Sequence, residues 1–247
     1  MHYNWNWGIF FEPALSGGGT YLDWLLSGLK WTVLCSLAAW VIAFCLGSVL
    51  GIMRTSTVRP LRWIGTVYVE VFRNIPLLVQ LFLWYFVFPQ VVPNAFGMWL
   101  KQGMPLPEYW TAVVCLGTYT ASRVCEQVRA GIESIPSGQT NAGLAMGLTR
   151  VQVYRYVLLP MAYRIIVPPI TSEFLTIFKN SSVALTIGLL ELTAQARQIS
   201  EYTFQSFEAF TAATVLYALI TGLVIVLMRW VEGRVRVPGY ISKGGGH

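Results

Sequence analysis

Five long stretches of apolar residues, joined by more polar segments, dominate this sequence. A helix that crosses the hydrocarbon core of a bilayer needs about 20 consecutive apolar residues. The apolar stretches run from Leu25 to Met53, Ile64 to Phe88, Thr111 to Ala130, Ala162 to Phe178 and Thr211 to Trp230. Only 11% of the residues are charged, whereas a typical soluble domain has about 25%. We therefore predict an all-α integral membrane protein with five transmembrane helices.

The basic residues predict the direction in which these helices cross the membrane. Lys and Arg accumulate in the cytoplasmic loops of membrane proteins. Eleven of the 17 Lys and Arg residues lie in the segments that follow the first, third and fifth stretches or within three residues of those segments. This distribution and the odd number of helices place the N-terminus outside and the C-terminus in the cytoplasm. The predicted organisation is an outer segment, 1–24, a transmembrane domain, 25–232, that contains a cytoplasmic loop, 131–160, and a cytoplasmic tail, 233–247.

Two glycines, Gly47 and Gly51, stand four residues apart in the first apolar stretch. Small residues at this spacing share one helix face and let a second helix approach closely. The spacing predicts a helix–helix contact at these glycines, and the alternative is a chance pair with no packing role.

Residue types that carry metal, redox or phosphate chemistry are scarce in this chain. Both histidines lie near the ends, and the four cysteines lie in apolar stretches without a Cys-x-x-Cys pair. The cysteines are Cys35, Cys45, Cys115 and Cys125. We predict that they are small buried apolar residues. The sequence also has no Gly-x-x-x-x-Gly-Lys-Ser/Thr loop for nucleotide phosphates. We therefore expect no enzyme activity and no cofactor in this chain itself.

The segment from Gly131 to Pro160 is too polar to span the membrane and has the pattern of two short helices. Pro136 and Gly138 are predicted to stop the incoming helix. The residues that follow, up to Met146, suit a short helix, and Gly147 then suits the left-handed conformation that often ends a helix.

A second short helix is predicted after that glycine. Thr149 is followed three residues later by Gln152, which is the pattern of a capping box at a helix start. The predicted helix runs from Arg150 to Leu159 and ends at Pro160. Two short helices joined at a glycine form a rigid projection that a partner protein can hold.

Arg123 and Glu126 are charged residues within the third apolar stretch. An arginine near the middle of a membrane helix costs about 2.5–3.5 kcal/mol on insertion scales, so such residues usually have a function. The two side chains are three residues apart and therefore share a helix face. They either pair with each other and hold helices together, or form a site for a zwitterion such as an amino acid.

Three segments of the chain resemble known motifs. Phe72–Gln80, FRNIPLLVQ, is similar to the F-R-G-T-P-L-L-V-Q segment of polar amino acid permeases. Arg129–Gln139, RAGIESIPSGQ, matches their R-x-G-I-x-S-I-P-x-G-Q pattern, and Lys179–Ser182, KNSS, resembles their K-D-[ST]-S run. The resemblance to the permeases of polar amino acid ABC transporters extends from Leu25 to Glu232 and is strongest to the glutamate/aspartate permeases. It implies the five-helix fold of type I ABC importer permeases.

The polar loop resembles the EAA loop of these permeases, which docks into a groove of the ATP-hydrolysing subunit. The resemblance rests on Gly138–Gly143, Gly147 and Val157–Pro160. Asn141 stands where Glu is usual, and Gly143 stands where the second Ala is usual. The residues implied in docking are Gln139, Asn141, Ala142, Gly143, Gly147, Leu159 and Pro160.

The resemblance also implies residues that line the substrate pathway. In the similar permeases a Glu at the position of Glu126 lies in the substrate chamber, where it can face an α-ammonium group. Arg123 stands where many relatives have an aromatic residue, and Asn180 stands where many have Asp. These two differences favour an acidic substrate. Ser181 and Ser182 either donate hydrogen bonds to a substrate carboxylate or cap the start of a helix.

Three further charged residues remain to be assigned. Arg73 matches an arginine of the family and can contact the substrate, the binding protein or a lipid phosphate. Glu70 and Glu173 are predicted to be structural partners of nearby basic residues.

The expected function is therefore that of a permease subunit of an ATP-driven importer in the bacterial inner membrane, where the outer segment is periplasmic. Its substrate is expected to be glutamate or aspartate. The implied partners are an ATPase subunit dimer that binds the ATP, a second homologous permease subunit, a periplasmic amino-acid-binding protein and membrane lipid. The +6 formal charge lies largely in predicted cytoplasmic loops, so nucleic acid is not expected as a partner. The alternatives are a permease for another polar amino acid, such as glutamine, and an ion-coupled secondary carrier that uses Glu126 as a proton relay.

Overall fold

The computed structural model describes residues 3–15 and 17–235, and their regular structure is helical apart from one isolated bridge between Pro13 and Thr20. This confirms the predicted all-α class. The α-helices of the described residues are α1 Tyr21–Thr55, α2 Arg59–Asn74, α3 Leu77–Phe82, α4 Phe88–Val91, α5 Asn94–Met98, α6 Pro107–Glu133, α7 Ser137–Ala145, α8 Arg150–Val153, α9 Leu159–Ile165, α10 Val167–Asn180, α11 Leu192–Thr203 and α12 Ser206–Val235. There are also 3₁₀ helices at Trp7–Phe11 and Ser181–Ile187, and π-helical turns at Leu83–Val87, Trp99–Gly103 and Tyr154–Leu158. The predicted tail 233–247 lies outside the described residues from position 236 onward.

The chain forms two compact units, each built from three separate segments. The first unit draws on Met1–Val41, Ile75–Gly117 and Thr176–Leu223, and the second on Ile42–Asn74, Thr118–Leu175 and Val224–His247, in each case over the described residues. Helices α1, α6 and α12 therefore each contribute one part to the first unit and the other part to the second.

Three of the five predicted apolar stretches are single long helices. Helices α1, α6 and α12 contain the first, third and fifth stretches and extend them by a few residues at each end. Both α1, with 35 residues, and α12, with 30, are long and apolar enough to cross a membrane. Because both segments are largely apolar throughout, no residue within them interrupts the helix.

The second stretch, predicted as one helix from Ile64 to Phe88, is interrupted, so that prediction is wrong in its continuity. Helix α2 ends at Asn74 and α3 begins at Leu77, with Pro76 as its N-cap residue. Proline lacks the amide hydrogen of a helical repeat and also disfavours the α conformation of the residue before it. The break at Pro76 therefore follows from the local sequence.

The fourth stretch, predicted from Ala162 to Phe178, is also two helices rather than one. Helix α9 ends at Ile165 and α10 begins at Val167, so that Pro168 and Pro169 occupy its first turn. The first turn of a helix has amide groups without helical acceptors, and proline is tolerated there. These prolines start a helix instead of lying inside one.

Within the second unit, α1 and α6 pack closely at the two glycines. A Cβ atom at Gly47 would lie 2.7 Å from the Cβ of Val124, and one at Gly51 would lie 2.7 Å from the Cβ of Val128. Real Cβ atoms do not approach each other so closely, and the packing role predicted for the glycine pair is confirmed. Cys125 is buried in the same contact region, together with Leu50.

The cysteines are free thiols. Cys35, Cys115 and Cys125 are buried, as predicted, but Cys45 is exposed, which contradicts its assignment as a buried residue. An apolar stretch that crosses a bilayer has no polar outer face. The sequence pattern therefore does not tell which side of α1 is packed against protein.

In the first unit, the start of α11 is fixed by a buried carboxylate. Glu191 is the N-cap residue, and its side chain accepts hydrogen bonds from the backbone N–H groups of Thr193 and Ala194 at 3.0 and 2.8 Å. The hydroxyl of Tyr217 on α12 donates to the same carboxylate at 2.7 Å. These donors satisfy a charge that would otherwise be costly to bury.

Candidate functional site

Glu126 lies at the centre of a chain of ion pairs in the second unit. Arg54, in the last turn of α1, donates a hydrogen bond from Nη1 to Oε1 of Glu126. Arg129 donates from Nε and Nη2 to the other oxygen at 3.1 and 3.0 Å, and from Nη1 to Glu133 at 2.8 Å. Both carboxylate oxygens of Glu126 are therefore engaged by arginines.

This arrangement excludes the first of the two alternatives given for the charges in the third stretch, namely that they pair with each other. Arg123 and Glu126 do not pair with each other, although they are three residues apart on α6. Glu126 instead joins the end of α1 to α6. Arg54 was not predicted in this role, because a basic residue at the end of an apolar stretch normally indicates a cytoplasmic loop.

Arg123 belongs to a separate polar cluster in the same unit. Its Nη2 donates to the hydroxyl of Tyr119 at 3.0 Å, and its guanidinium carbon lies 5.3 Å from the centre of the Tyr119 ring. Its Nη1 lies 3.9 Å from Oε2 of Glu173 on α10. Arg73 is within electrostatic range of that carboxylate. The prediction that Glu173 is the partner of a basic residue is confirmed.

The Arg123–Glu173 cluster retains hydrogen-bonding capacity. Nε of Arg123 and Oε2 of Glu173 are buried, and neither has a hydrogen-bond partner among the described residues. A buried polar group without a partner costs about 1–3 kcal/mol, so such groups are rare unless a ligand uses them. The cluster therefore contains one unused donor and one unused acceptor, which is the chemistry that an amino acid zwitterion needs.

Glu70 has a different partner from the basic residue predicted for it. Its carboxylate accepts a hydrogen bond from the side-chain amide of Asn74 at 3.0 Å, one helical turn further along α2. Both residues are exposed. The contact is a local one within a helix, and it does not join Glu70 to the Arg123–Glu173 cluster.

Asn180, Ser181 and Ser182 lie in the first unit, at the transition from α10 to the 3₁₀ helix. The hydroxyls of Ser181 and Ser182 donate to the backbone oxygens of Phe178 and Lys179 at 2.8 and 2.7 Å. Neither serine caps a helix start, so that alternative is wrong. Each hydroxyl hydrogen is already used within the chain, and Ser181 is fully buried.

The polar loop is folded as the predicted pair of short helices. Helix α7 ends at Ala145, and Gly147 has a φ of +85°, the left-handed conformation expected there. Thr149 and Gln152 form the predicted capping box, with each side chain bonded to the backbone of the other residue. Gly138 lies inside α7, so it does not stop a helix, whereas Pro136 does precede one as its N-cap residue.

The second helix does not end at Pro160, which corrects the prediction. A π-helical turn, Tyr154–Leu158, follows α8, and Pro160 lies in the first turn of α9 directly after it. In this wider turn the N–H of Leu159 bonds to the oxygen of Tyr154, five residues earlier. A π-bulge relieves the requirement for a regular bond pattern at a proline. The helix therefore continues through the position that normally ends one.

Two contacts stabilise the elbow, the pair of helices α7 and α8 joined at Gly147, within the second unit. The hydroxyl of Tyr154 donates to the backbone oxygen of Thr55, the last residue of α1, at 2.8 Å. Gly143 is buried in α7, where a Cβ atom would lie 3.0 Å from a methyl group of Val153 in α8. The glycine at the position where Ala is usual therefore allows α7 and α8 to pack closely.

Comparison with known proteins identifies the family. Residues 43–237 match the family described as the inner membrane component of binding-protein-dependent transport systems. The chain belongs to this family. As an inner membrane component it is a permease subunit and resides in the inner membrane, which agrees with the apolar length of α1 and α12.

Two relatives and one solved structure are similar to this permease subunit over most of its length. It is 51% identical over 241 residues to the glutamate/aspartate import permease protein GltJ of Escherichia coli (strain K12), covering 97% of this chain and 98% of GltJ. It is 34% identical over 210 residues to the probable glutamine ABC transporter permease protein GlnM of Bacillus subtilis (strain 168), covering 85% of this chain and 92% of GlnM. A solved structure of an amino acid ABC transporter with histidines superposes with a TM-score of 0.74 at 31% identity, covering 87% of this chain and 95% of the other.

Proposed function

We propose that this permease subunit forms part of the pathway of an importer for an acidic amino acid, glutamate or aspartate, and that Arg123 and Glu173 contact the substrate. The observation that carries the proposal is the unused donor at Nε of Arg123 together with the unused acceptor at Oε2 of Glu173, which lies 3.9 Å from Nη1 of the same arginine. The similarity to GltJ, a glutamate/aspartate import permease, supports the same substrate class.

The chemistry of the cluster suits a molecule with two carboxylates and one ammonium group. A guanidinium can hold a carboxylate by two parallel hydrogen bonds, and the carboxylate of Glu173 can accept from an ammonium. Arg73, within electrostatic range of Glu173, adds a second positive charge. A neutral substrate would leave one more positive charge without a partner. Glu126 is not assigned to the substrate, because Arg54 and Arg129 occupy both of its oxygens.

Asn180, Ser181 and Ser182 remain candidates for the pathway in a secondary role. Asn180 carries no charge at a position where an acidic residue would repel an acidic substrate. The hydroxyl hydrogens of both serines bond to the backbone, and Ser181 is fully buried, so of the two only Ser182 can offer an oxygen lone pair to a substrate.

The membrane topology is proposed as five crossings with the N-terminus in the periplasm. Helices α1 and α12 meet the length and hydropathy of a span by themselves, and two pairs of helices separated by short breaks do so together. Helix α6 has 27 residues and supplies the remaining crossing. The concentration of basic residues after the first, third and fifth crossings supports a cytoplasmic position for the loop 131–160 and for the tail.

Energy for transport is proposed to enter through the elbow of α7 and α8, which docks on a partner ATPase. A second permease subunit and a periplasmic binding protein complete the assembly. The last turn of α1 carries both connections of this route: Thr55 accepts from Tyr154 of the elbow, and Arg54 binds Glu126 of α6. A movement of the elbow is thereby transmitted to the helix that carries Arg123.

Competitive uptake into proteoliposomes that contain the whole transporter tests the substrate assignment. In Arg123→Gln, glutamate and aspartate uptake is expected to fall at least about tenfold, equivalent to about 1.4 kcal/mol, while any glutamine uptake is maintained. Arg197→Gln is the matched control, because Arg197 is exposed and pairs with Glu201 on the surface of α11. An equal loss of glutamate and glutamine uptake at normal protein levels would remove Arg123 from substrate recognition.

A further inference from the structure

A cavity of about 850 Å³ lies beside the elbow, within the second unit. Its walls come from the end of α1 and the turn before α2, from the end of α6, and from α7 and α8. Three arginines line it, namely Arg54, Arg62 and Arg150, together with hydroxyl and amide groups such as those of Thr140 and Asn141. Asn141 is also among the residues implied in docking, but neither the proposed substrate pathway nor the proposed docking of the elbow uses Arg62 or Arg150.

The charges of the cavity do not balance. Arg54 is neutralised by Glu126, and Glu133, the one carboxylate among the lining residues, is bound by Arg129 at 2.8 Å. Arg62 and Arg150 take part in none of the ion pairs of the described residues. Arg62 and Arg150, both exposed to solvent, therefore bring two positive charges to the lining that none of its carboxylates pairs with.

Asn141 preserves this imbalance. It lines the cavity from α7 and stands where the resembling permeases carry Glu. A carboxylate at this position would lie among the arginines and supply one of the missing negative charges. The uncharged amide leaves the cavity open to an external anion.

Phosphate is the anion that fits these groups best. Guanidinium groups hold phosphate oxygens by paired, charge-assisted hydrogen bonds, and hydroxyls such as that of Thr140 can add further donors. Both a lipid headgroup and a free phosphate ion offer this chemistry, so the surroundings of the cavity distinguish between them.

The surroundings favour a lipid. Val58 and Val151 line the cavity and are 50% and 76% exposed. Next to Arg62, Trp63 and Ile64 expose 68% and 48% of their surface on α2. A free ion gains nothing from exposed apolar surface, whereas acyl chains would cover it. Basic residues near a membrane surface each attract anionic lipid by about 1 kcal/mol.

We propose that this cavity binds the headgroup of an anionic phospholipid, with its phosphate held by Arg62 and Arg150 and its acyl chains along the exposed face of α2. The proposal rests on the proposed function in one respect. The topology given above places this lipid in the cytoplasmic leaflet. The bound lipid connects the start of α2 to the elbow of α7 and α8. The elbow is thereby supported by the membrane as well as by Tyr154.

Photo-crosslinking of the purified transporter complex in detergent tests this site. The probe is a phosphatidylglycerol with a photoreactive group in its headgroup, and the labelled peptides are quantified by mass spectrometry. The wild-type protein is expected to be labelled in the segments around Arg62 and Arg150. Labelling there is expected to fall at least about fivefold, equivalent to about 1 kcal/mol, in Arg62→Gln, Arg150→Gln and Asn141→Glu. The matched control is Arg59→Gln, since Arg59 is exposed on the same helix but does not line the cavity.

Competition identifies the source of the phosphate. Unlabelled phosphatidylglycerol is expected to suppress the labelling, and phosphatidylcholine and millimolar inorganic phosphate are not. Suppression by inorganic phosphate would overturn the lipid assignment in favour of a free ion. Equal loss in Arg59→Gln would show diffuse surface charge in place of a site, and absent labelling in an intact wild-type complex would show that a partner protein fills the cavity. Labelling requires neither substrate nor transport, so its result is independent of the test of Arg123.

Discussion

The hydroxyl of Tyr154 donates a hydrogen bond of 2.8 Å to the backbone oxygen of Thr55, 99 residues earlier in the chain. This bond joins the elbow to the last turn of α1, where the neighbouring Arg54 binds Glu126 of α6. The three elements therefore share one connection point. Because the last carbonyl groups of a helix have no partner within the helix, the end of α1 is free to accept this bond.

Removal of that hydroxyl is expected to uncouple transport from ATP hydrolysis. In Tyr154→Phe, the amount of glutamate transported per ATP should fall several-fold, because a hydrogen bond of this kind contributes about 0.5–1.5 kcal/mol. ATP hydrolysis by the complex should continue, and the measurement is the ratio of uptake to phosphate release in proteoliposomes. Tyr156→Phe is the control, since Tyr156 is largely exposed on the same turn. An unchanged ratio in Tyr154→Phe would exclude this bond from coupling.

Gly147 is expected to be sensitive to any side chain. Its φ of +85° is unfavourable for residues with a Cβ atom and most of all for β-branched ones. Gly147→Val should abolish most ATP-driven uptake while membrane insertion stays normal, because the angle between α7 and α8 is lost. Gly138→Val is the control, since Gly138 lies in α7 with open space around it. Normal uptake in Gly147→Val would contradict the role of the elbow.

Stability is expected to depend on the glycine contact between α1 and α6. A methyl group at Gly51 meets Val128 and the backbone oxygen of Cys125, at 2.7 and 2.9 Å. Gly51→Ala should therefore destabilise the protein by about 1–3 kcal/mol, the usual cost of overpacking, measured by thermal unfolding in detergent. The double variant with Val128→Ala should recover part of the loss.

A glycine of α12 provides the comparison for that experiment. Gly222 has no neighbouring atom that an added Cβ would meet. Gly222→Ala should not lower the unfolding temperature, because alanine is a better helix former than glycine. Equal effects of Gly51→Ala and Gly222→Ala would show that the close packing at Gly51 does not limit stability.

The proposed topology is tested by the labelling of single cysteines. In a variant without the four native cysteines, one cysteine is placed at Asn94 or at Ser137, both of which are exposed positions. A membrane-impermeant thiol reagent applied to intact spheroplasts should label position 94 and not position 137, and opened membranes should allow both. Labelling of position 137 alone in the intact preparation would reverse the topology.

Local sequence patterns predicted most of the helical structure, because their causes are local. The apolar length of α1 and α12, the capping box at Thr149 and the left-handed Gly147 each depend on a few neighbouring residues. Errors occurred at prolines. The sequence shows that Pro160 lacks an amide hydrogen, but the π-helical turn that accommodates it depends on how the segment packs.

The ion-pair partners of the charged residues could not be predicted from the sequence. Spacing on α6 placed Arg123 and Glu126 on one face, and yet, besides the pairing of Glu126 with Arg129, each has an ion-pair partner on another helix, Glu173 on α10 and Arg54 on α1. These contacts join residues that are 50 and 72 positions apart. A charge in an apolar stretch signals that a partner exists, but the sequence does not name that partner.

The sequence by itself determined the class of this protein, since chain-wide apolar stretches and basic loops are compatible with a helical membrane protein and with little else. It also determined the family resemblance and the elbow, which depend on residue identity at fixed spacing. Only the tertiary structure decided which charges pair, which helix packs against the glycines of α1, and which arginines share the cavity beside the elbow. The physical reason is that ion pairs and close packing act over a few ångströms in space, between residues whose separation along the chain carries no information about their distance.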